Sequence, residues 1–197
     1  ANNLALKATG RHPIIVSAIE HDSVLQADQC GIRLPVDTDG VVDLSALRNA
    51  LSAPAPLVCV MLANNETGVV QPVVDIVAIA NEAGAIVHTD VVQAAGRIAI
   101  DIPALGASMA SLSAHKLGGP QGVGALVLGE DMPVLSQIKG GGQERGRRAG
   151  TENVAGIVGF GVAARLVRED LAHMQKVAML RDGLETALVQ AFPDAII

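Results

Sequence analysis

The chain has 197 residues, half of them hydrophobic and 17% charged, with a formal net charge of −6. Charge falls below the roughly 25% of an average soluble domain, so much of the chain is expected to be buried, within itself or against a partner. No basic run interleaves with aromatic residues, which argues against nucleic-acid binding, and no run of about 18 apolar residues suggests a membrane span.

Residues 13–19 predict a buried strand. Residues 22–30 predict a short helix closed by Gly31, and 32–36 another short strand. Turn chemistry follows from Asp37 to Gly40, and Asp43 caps a helix to about Leu51. Residues 57–62 predict a strand. Pro72 starts a helix to about Ala83, with Gly84 as its stop. Strands are predicted over 85–89, 107–113 and 123–128. From Val154 to about Ala191 the pattern is helical and long enough to require a break, and Phe192-Pro193 ends it.

Strands alternating with helices predict an α/β fold: a mostly parallel sheet flanked by helices on both faces. Ligands on such sheets gather at the carboxyl ends of the strands. Four ends carry polar groups: Glu20-His21, Asn64-Asn65-Glu66, Asp90, and Ser113-Ala114-His115-Lys116. One domain is predicted over 1–165. Residues 166–197 read as a linker helix and the start of an incomplete second domain. The chain opens without Met, in mid-pattern, and is read as a piece of a longer protein.

A lysine such as Lys116, in a tight Gly-rich turn after a buried strand, can be desolvated, which favours a nucleophilic amine able to form a Schiff base. The plainer reading is a solvated turn lysine. Ser113 and His115 beside it could hold a phosphate. Asp90 at a strand end can pair with a protonated pyridine nitrogen, or simply cap the next helix. Gln93, a helical turn later, can donate to a ring oxygen. His21 can stack on an aromatic ring and move protons, or make a local hydrogen bond at a helix end. Asn65 can hydrogen-bond a ring substituent, or belong to an Asn-rich turn. The Gly140–Asn153 loop can bind anions through its backbone, or be a mobile surface loop. It carries neither of the common nucleotide-binding glycine signatures.

The order and spacing of these segments resemble the NifS-type cysteine desulfurases, within the class V aminotransferase group of fold-type-I pyridoxal-phosphate (PLP) enzymes. The resemblance runs from Ala1-Asn2-Asn3-Leu4-Ala5 through Glu20-His21, Asn64–Gly68, His88–Gln93 and Ser113–Lys116 to the Gly140–Asn153 loop. It implies the PLP-dependent transferase large domain, with Lys116 holding PLP as a Schiff base and Asp90 pairing with the pyridine nitrogen. His21 would stack on the ring and shuttle protons. Asn65 and Gln93 would contact the ring hydroxyl, and Ser113 and His115 the phosphate. Thr151 would reach the phosphate of a neighbouring subunit's cofactor in a homodimer. Val91 and Gln121 depart from the group's commoner Ala and Lys.

The implied reaction turns L-cysteine into L-alanine and passes sulfur to an enzyme cysteine as a persulfide, for iron–sulfur cluster or related biosynthesis. A sulfur-acceptor protein is a further implied partner. The group's phosphate-binding Thr would precede Ala1, and its nucleophilic Cys and substrate-binding Arg would follow Ile197. Neither Cys30 nor Cys59 matches that nucleophile, so this chain alone is expected to be inactive. Cys59 is expected in a buried strand and Cys30 at a helix end, as structural thiols. They imply no disulfide framework, no signal-peptide pattern opens the chain, and a reducing cytoplasm is the expected setting. No metal is implied. The rival readings are a selenocysteine lyase or other class V aminotransferase and, from a different class, a non-catalytic dimerisation or interaction module.

Overall fold

A computed structural model describes residues 1–52 and 56–195. Six strands form one sheet: β1 (Ile14–Ser17), β2 (Ile32–Leu34), β3 (Leu57–Cys59), β4 (Ile86–Asp90), β5 (Met109–Ser113) and β6 (Gly124–Leu128). Their spatial order is β2-β1-β3-β4-β5-β6. The first five run parallel, and β6 returns antiparallel to β5. The chain therefore builds outward from β1 in one direction, then reverses to β3 on its other side. Such a reversal leaves a crevice at the carboxyl ends of the strands it separates.

Strand side chains alternate between two helical layers. Ile15, Val58 and Val87 face α3 (Leu44–Ala50) and α4 (Val73–Glu82), burying against Leu47 and Ile76. Their neighbours Ile14, Val16, Leu57 and Cys59 face the opposite layer, against Leu6 of α1 (Asn2–Lys7) and Val24 of α2 (Asp22–Leu25). Each large side chain buried in this way contributes roughly 1.5–3 kcal/mol. Asp43 starts α3 as expected, its Oδ1 accepting the Ser45 and Ala46 N–H groups at 2.8 and 3.1 Å.

The helix expected over 22–30 spans only Asp22–Leu25. Asp28 Oδ1 takes the Cys30 N–H at 3.1 Å, a side chain competing with the helix for its own backbone. Cys30 consequently sits exposed in a turn, not at the expected helix end. Cys59 is buried as expected, which holds its thiol well above the usual range. Two helices were not expected: α1, and α5 (Ile102–Leu105), whose cap is Asp101 Oδ1 on the Ala104 N–H at 3.1 Å. β3 is shorter than the 57–62 run. Even so, Val60 and Leu62 continue the ladder, donating to His88 and Asp90 carbonyls at 3.1 and 2.9 Å.

The long C-terminal pattern breaks as expected. α6 (Val154–Asp170) and α7 (Met174–Ala191) are separated by a short 3₁₀ turn, Leu171–His173. α6 packs on the segment after Lys116, while the apolar residues of α7 lie open, Met179 at 74% and Leu180 at 75% exposed. No helix among the described residues is long and apolar enough to cross a membrane.

Candidate functional site

A cleft of about 620 Å³ opens at the carboxyl ends of β1, β3, β4 and β5, in the range of small-molecule sites. Of the eight residues singled out in the sequence, His21, Asn65, Asp90, Gln93, Ser113, His115 and Lys116 all line it. Thr151 does not. It is exposed in the loop before α6, where Asn153 Oδ1 caps the helix by accepting the Gly156 N–H at 3.1 Å. The loop's Arg145, Arg147 and Arg148 line an adjoining cleft of about 1000 Å³, together with Lys7, rather than the first.

Asp90 ends β4, buried at the cleft floor. Its Oδ1 accepts the Val92 N–H at 2.8 Å and its Oδ2 accepts from Asn2 Nδ2 at 2.7 Å. The carboxylate is thus fixed in orientation, and each oxygen keeps a further lone pair. His21 is the N-cap of α2: its Nδ1 lies 3.0 Å from the Ser23 backbone nitrogen and 2.8 Å from Ser23 Oγ. Ser23 Oγ in turn accepts from Asn2 Nδ2 at 2.8 Å. Asn2, Ser23, His21 and Asp90 therefore form one connected set.

Lys116 lies in a 3₁₀ turn, Ala114–Leu117, that leaves β5 directly and ends at the left-handed Gly118. Ser113 Oγ and His115 Nδ1 sit 2.9 Å apart at its start. Lys116 is exposed on the cleft wall. The desolvation expected of it is therefore not supplied by the described residues themselves. Asn65 is exposed beside its neighbour Asn64, whose Oδ1 accepts the Glu66 and Thr67 N–H groups and so makes the turn.

Two buried titratable groups stand behind the cleft. The Glu20 carboxyl is pushed up to about 8 by burial, partly offset by the Met61 N–H that it accepts and reinforced by nearby Asp90. Burial pulls His88 down to about 3, and its Nε2 meets Ser111 Oγ at 2.8 Å. Glu20 and His88 belong to segments that the sequence marked, yet neither was given a role. Asn2 and Ser23 were likewise missed. Their contacts join residues 88 and 21 positions apart, which no local pattern reports.

Residues 1–193 match the family described as aminotransferase class-V, and the chain belongs to that family. Its members of this kind are PLP-dependent. The chain is similar to a cysteine desulfurase of Gluconacetobacter diazotrophicus, 45% identical over 195 residues that cover 94% of this chain and 49% of that protein. It is 46% identical over 193 residues to a cysteine desulfurase of Cereibacter sphaeroides, with 94% and 49% covered. Among solved structures it resembles a NifS-like protein from Rickettsia africae, with a TM-score of 0.89 at 39% identity, covering 96% of this chain and 54% of the other. The chain spans about half the length of the curated relatives it matches.

Proposed function

We propose that the whole protein is a PLP-dependent cysteine desulfurase and that this chain supplies its cofactor-binding part. The observation that carries this reading is the convergence of seven marked side chains from four strand ends on one cleft. The donor set suits the cofactor. Asp90 offers a fixed carboxylate with lone pairs to spare for a pyridinium N–H. Ser113 and His115 offer hydrogen-bond donors for a phosphate, and Lys116 an amine for the aldehyde carbon. Asn65 and Gln93 bring amides for the ring hydroxyl, and His21 a flat ring to stack on.

When bound, PLP supplies an electron sink for the charge that develops on the substrate carbon. The chain's own residues do the rest. Asp90 would keep the pyridine nitrogen protonated, Lys116 would hold the cofactor and move a proton, and His21 would stack on the ring and shuttle protons. The carbon–sulfur bond of L-cysteine breaks, sulfur joins an enzyme thiol as a persulfide, and L-alanine leaves, so atoms balance without an outside oxidant. Neither Cys30 nor Cys59 lines the cleft, so the accepting thiol comes from elsewhere in the protein. This chain by itself is inactive.

Residues 1–165 act as the PLP-binding large domain, and 166–197 link it to a second domain. The exposed apolar residues of α7 support this division, although residue 165 falls inside α6 rather than at a turn. The protein works as a cytoplasmic homodimer in which Thr151 reaches the partner's cofactor phosphate. A sulfur-acceptor protein of iron–sulfur assembly takes the product. The direct test supplies the whole protein with PLP, L-cysteine and a thiol reductant. Alanine and sulfide should appear in equal, multiple-turnover amounts. A product spectrum without alanine would sink the desulfurase reading.

A further inference from the structure

Asn2 is buried, and its amide nitrogen reaches both Asp90 Oδ2 at 2.7 Å and Ser23 Oγ at 2.8 Å. A carboxylate only accepts, so the Asn2 nitrogen, not its oxygen, faces Asp90, and both of its hydrogens are committed. The Asn2 oxygen is left buried with no partner among the described residues. Ser23 Oγ accepts from Asn2 and therefore has its own hydrogen to give. His21 Nδ1 lies 2.8 Å from it and also accepts the Ser23 backbone N–H at 3.0 Å. A ring nitrogen that accepts carries no proton, so neutral His21 holds its proton on Nε2.

We propose that Asn2 and Ser23 are positioning residues of the cleft. Their hydrogen bonds run one way, from Asn2 to Asp90 and through Ser23 to His21, and fix His21 as the Nε2–H tautomer. The proposal rests on the cleft being the cofactor site, and it sharpens two roles there. One amide sets the orientation of the carboxylate that meets the pyridine nitrogen and the tautomer of the ring that covers the cofactor. His21 then enters the cleft as a hydrogen-bond donor through Nε2. Loss of Asn2 disturbs both ends together, whereas loss of the Ser23 hydroxyl takes a donor from His21 and an acceptor from Asn2 but leaves the Asn2–Asp90 bond in place.

The test is a long-range proton–nitrogen correlation spectrum of the whole protein labelled with ¹⁵N-histidine, read first without cofactor and then with PLP. The wild type should show His21 Nδ1 unprotonated, with the Nε2–H form ahead by roughly tenfold, as one or two ordinary hydrogen bonds provide. Ser23→Ala should lower that ratio by roughly 2- to 10-fold, while Ser23→Thr restores it. Asn2→Ala should both lower the ratio and shift the absorbance of bound PLP. A wild type protonated on Nδ1 overturns the proposal, whatever the variants do. So does a folded Ser23→Ala protein with the wild-type ratio. The tautomer is read without cofactor, so a protein that takes up no PLP contradicts the proposed function separately.

Discussion

Asp90 uses its two carboxylate oxygens differently. One takes the Val92 N–H as any turn aspartate would, and the other meets Asn2 at the cleft floor. His21 divides likewise, its Nδ1 capping α2 while the rest of the ring lies on the cleft. A motif read locally could show only the capping half. Asp90→Ala leaves the Val92 N–H and one hydrogen of the buried Asn2 amide without acceptors. It should cost about 1–3 kcal/mol in a denaturant titration, with weaker PLP retention. Asp90→Asn should cost less but force the Asn2 amide to turn, since two NH₂ groups cannot face each other.

Glu20 and His88 make stability depend on pH in opposite senses. The folded state holds the Glu20 proton more tightly than the unfolded chain does. Its contribution is therefore complete below about 4.5 and fades as the pH rises to about 8. His88 is held neutral, so its contribution is complete above 6.5 and fades as the pH falls to about 3. Between 4.5 and 6.5 the two slopes cancel. Stability should therefore be flat there and fall by about 2 kcal/mol from pH 6.5 to 8. Glu20→Gln should abolish that fall in the denaturation midpoint. A fall that persists in the variant would show that Glu20 is not its source.

Among the elements, the strands were the most legible. β1 and β3 are covered on both faces and lie in largely apolar runs. The short helices were less so. α2 stops early because Asp28 bonds its own turn, and α1 and α5 are six and four residues long, too short to show a period. The fit of α6 over the Lys116 turn depends on a glycine that composition alone could not interpret. A Cβ at Gly159 would stand 2.6 Å from Pro120 Cγ. Gly159→Leu should push α6 off this turn and cost about 1–3 kcal/mol. Gly161→Ala on the same helix meets open space and should be neutral or mildly stabilising. Equal losses at the two positions would contradict close packing as the cause.

For the molecule as a whole, the sheet order places the site. The reversal between β1 and β3 opens a crevice, and the marked side chains come to it from strand ends far apart in the chain. Alternation of strands and helices foretold the sheet, and polar groups at strand ends foretold the cleft. The Asn2–Ser23 link and the buried Glu20 were hidden because tertiary contacts alone assign them. The low charge content that predicted extensive burial is only partly met within this chain, since Met179, Leu180 and Phe192 of the C-terminal segment stay exposed.

The central claim is that Lys116 holds PLP in this cleft. Borohydride reduction of the PLP-loaded whole protein, followed by peptide mass mapping, tests it most directly. The account predicts a phosphopyridoxyl group on Lys116, lost from Lys116→Ala. A label confined to Lys7, Lys139 or Lys176, or spread evenly among them, would contradict it.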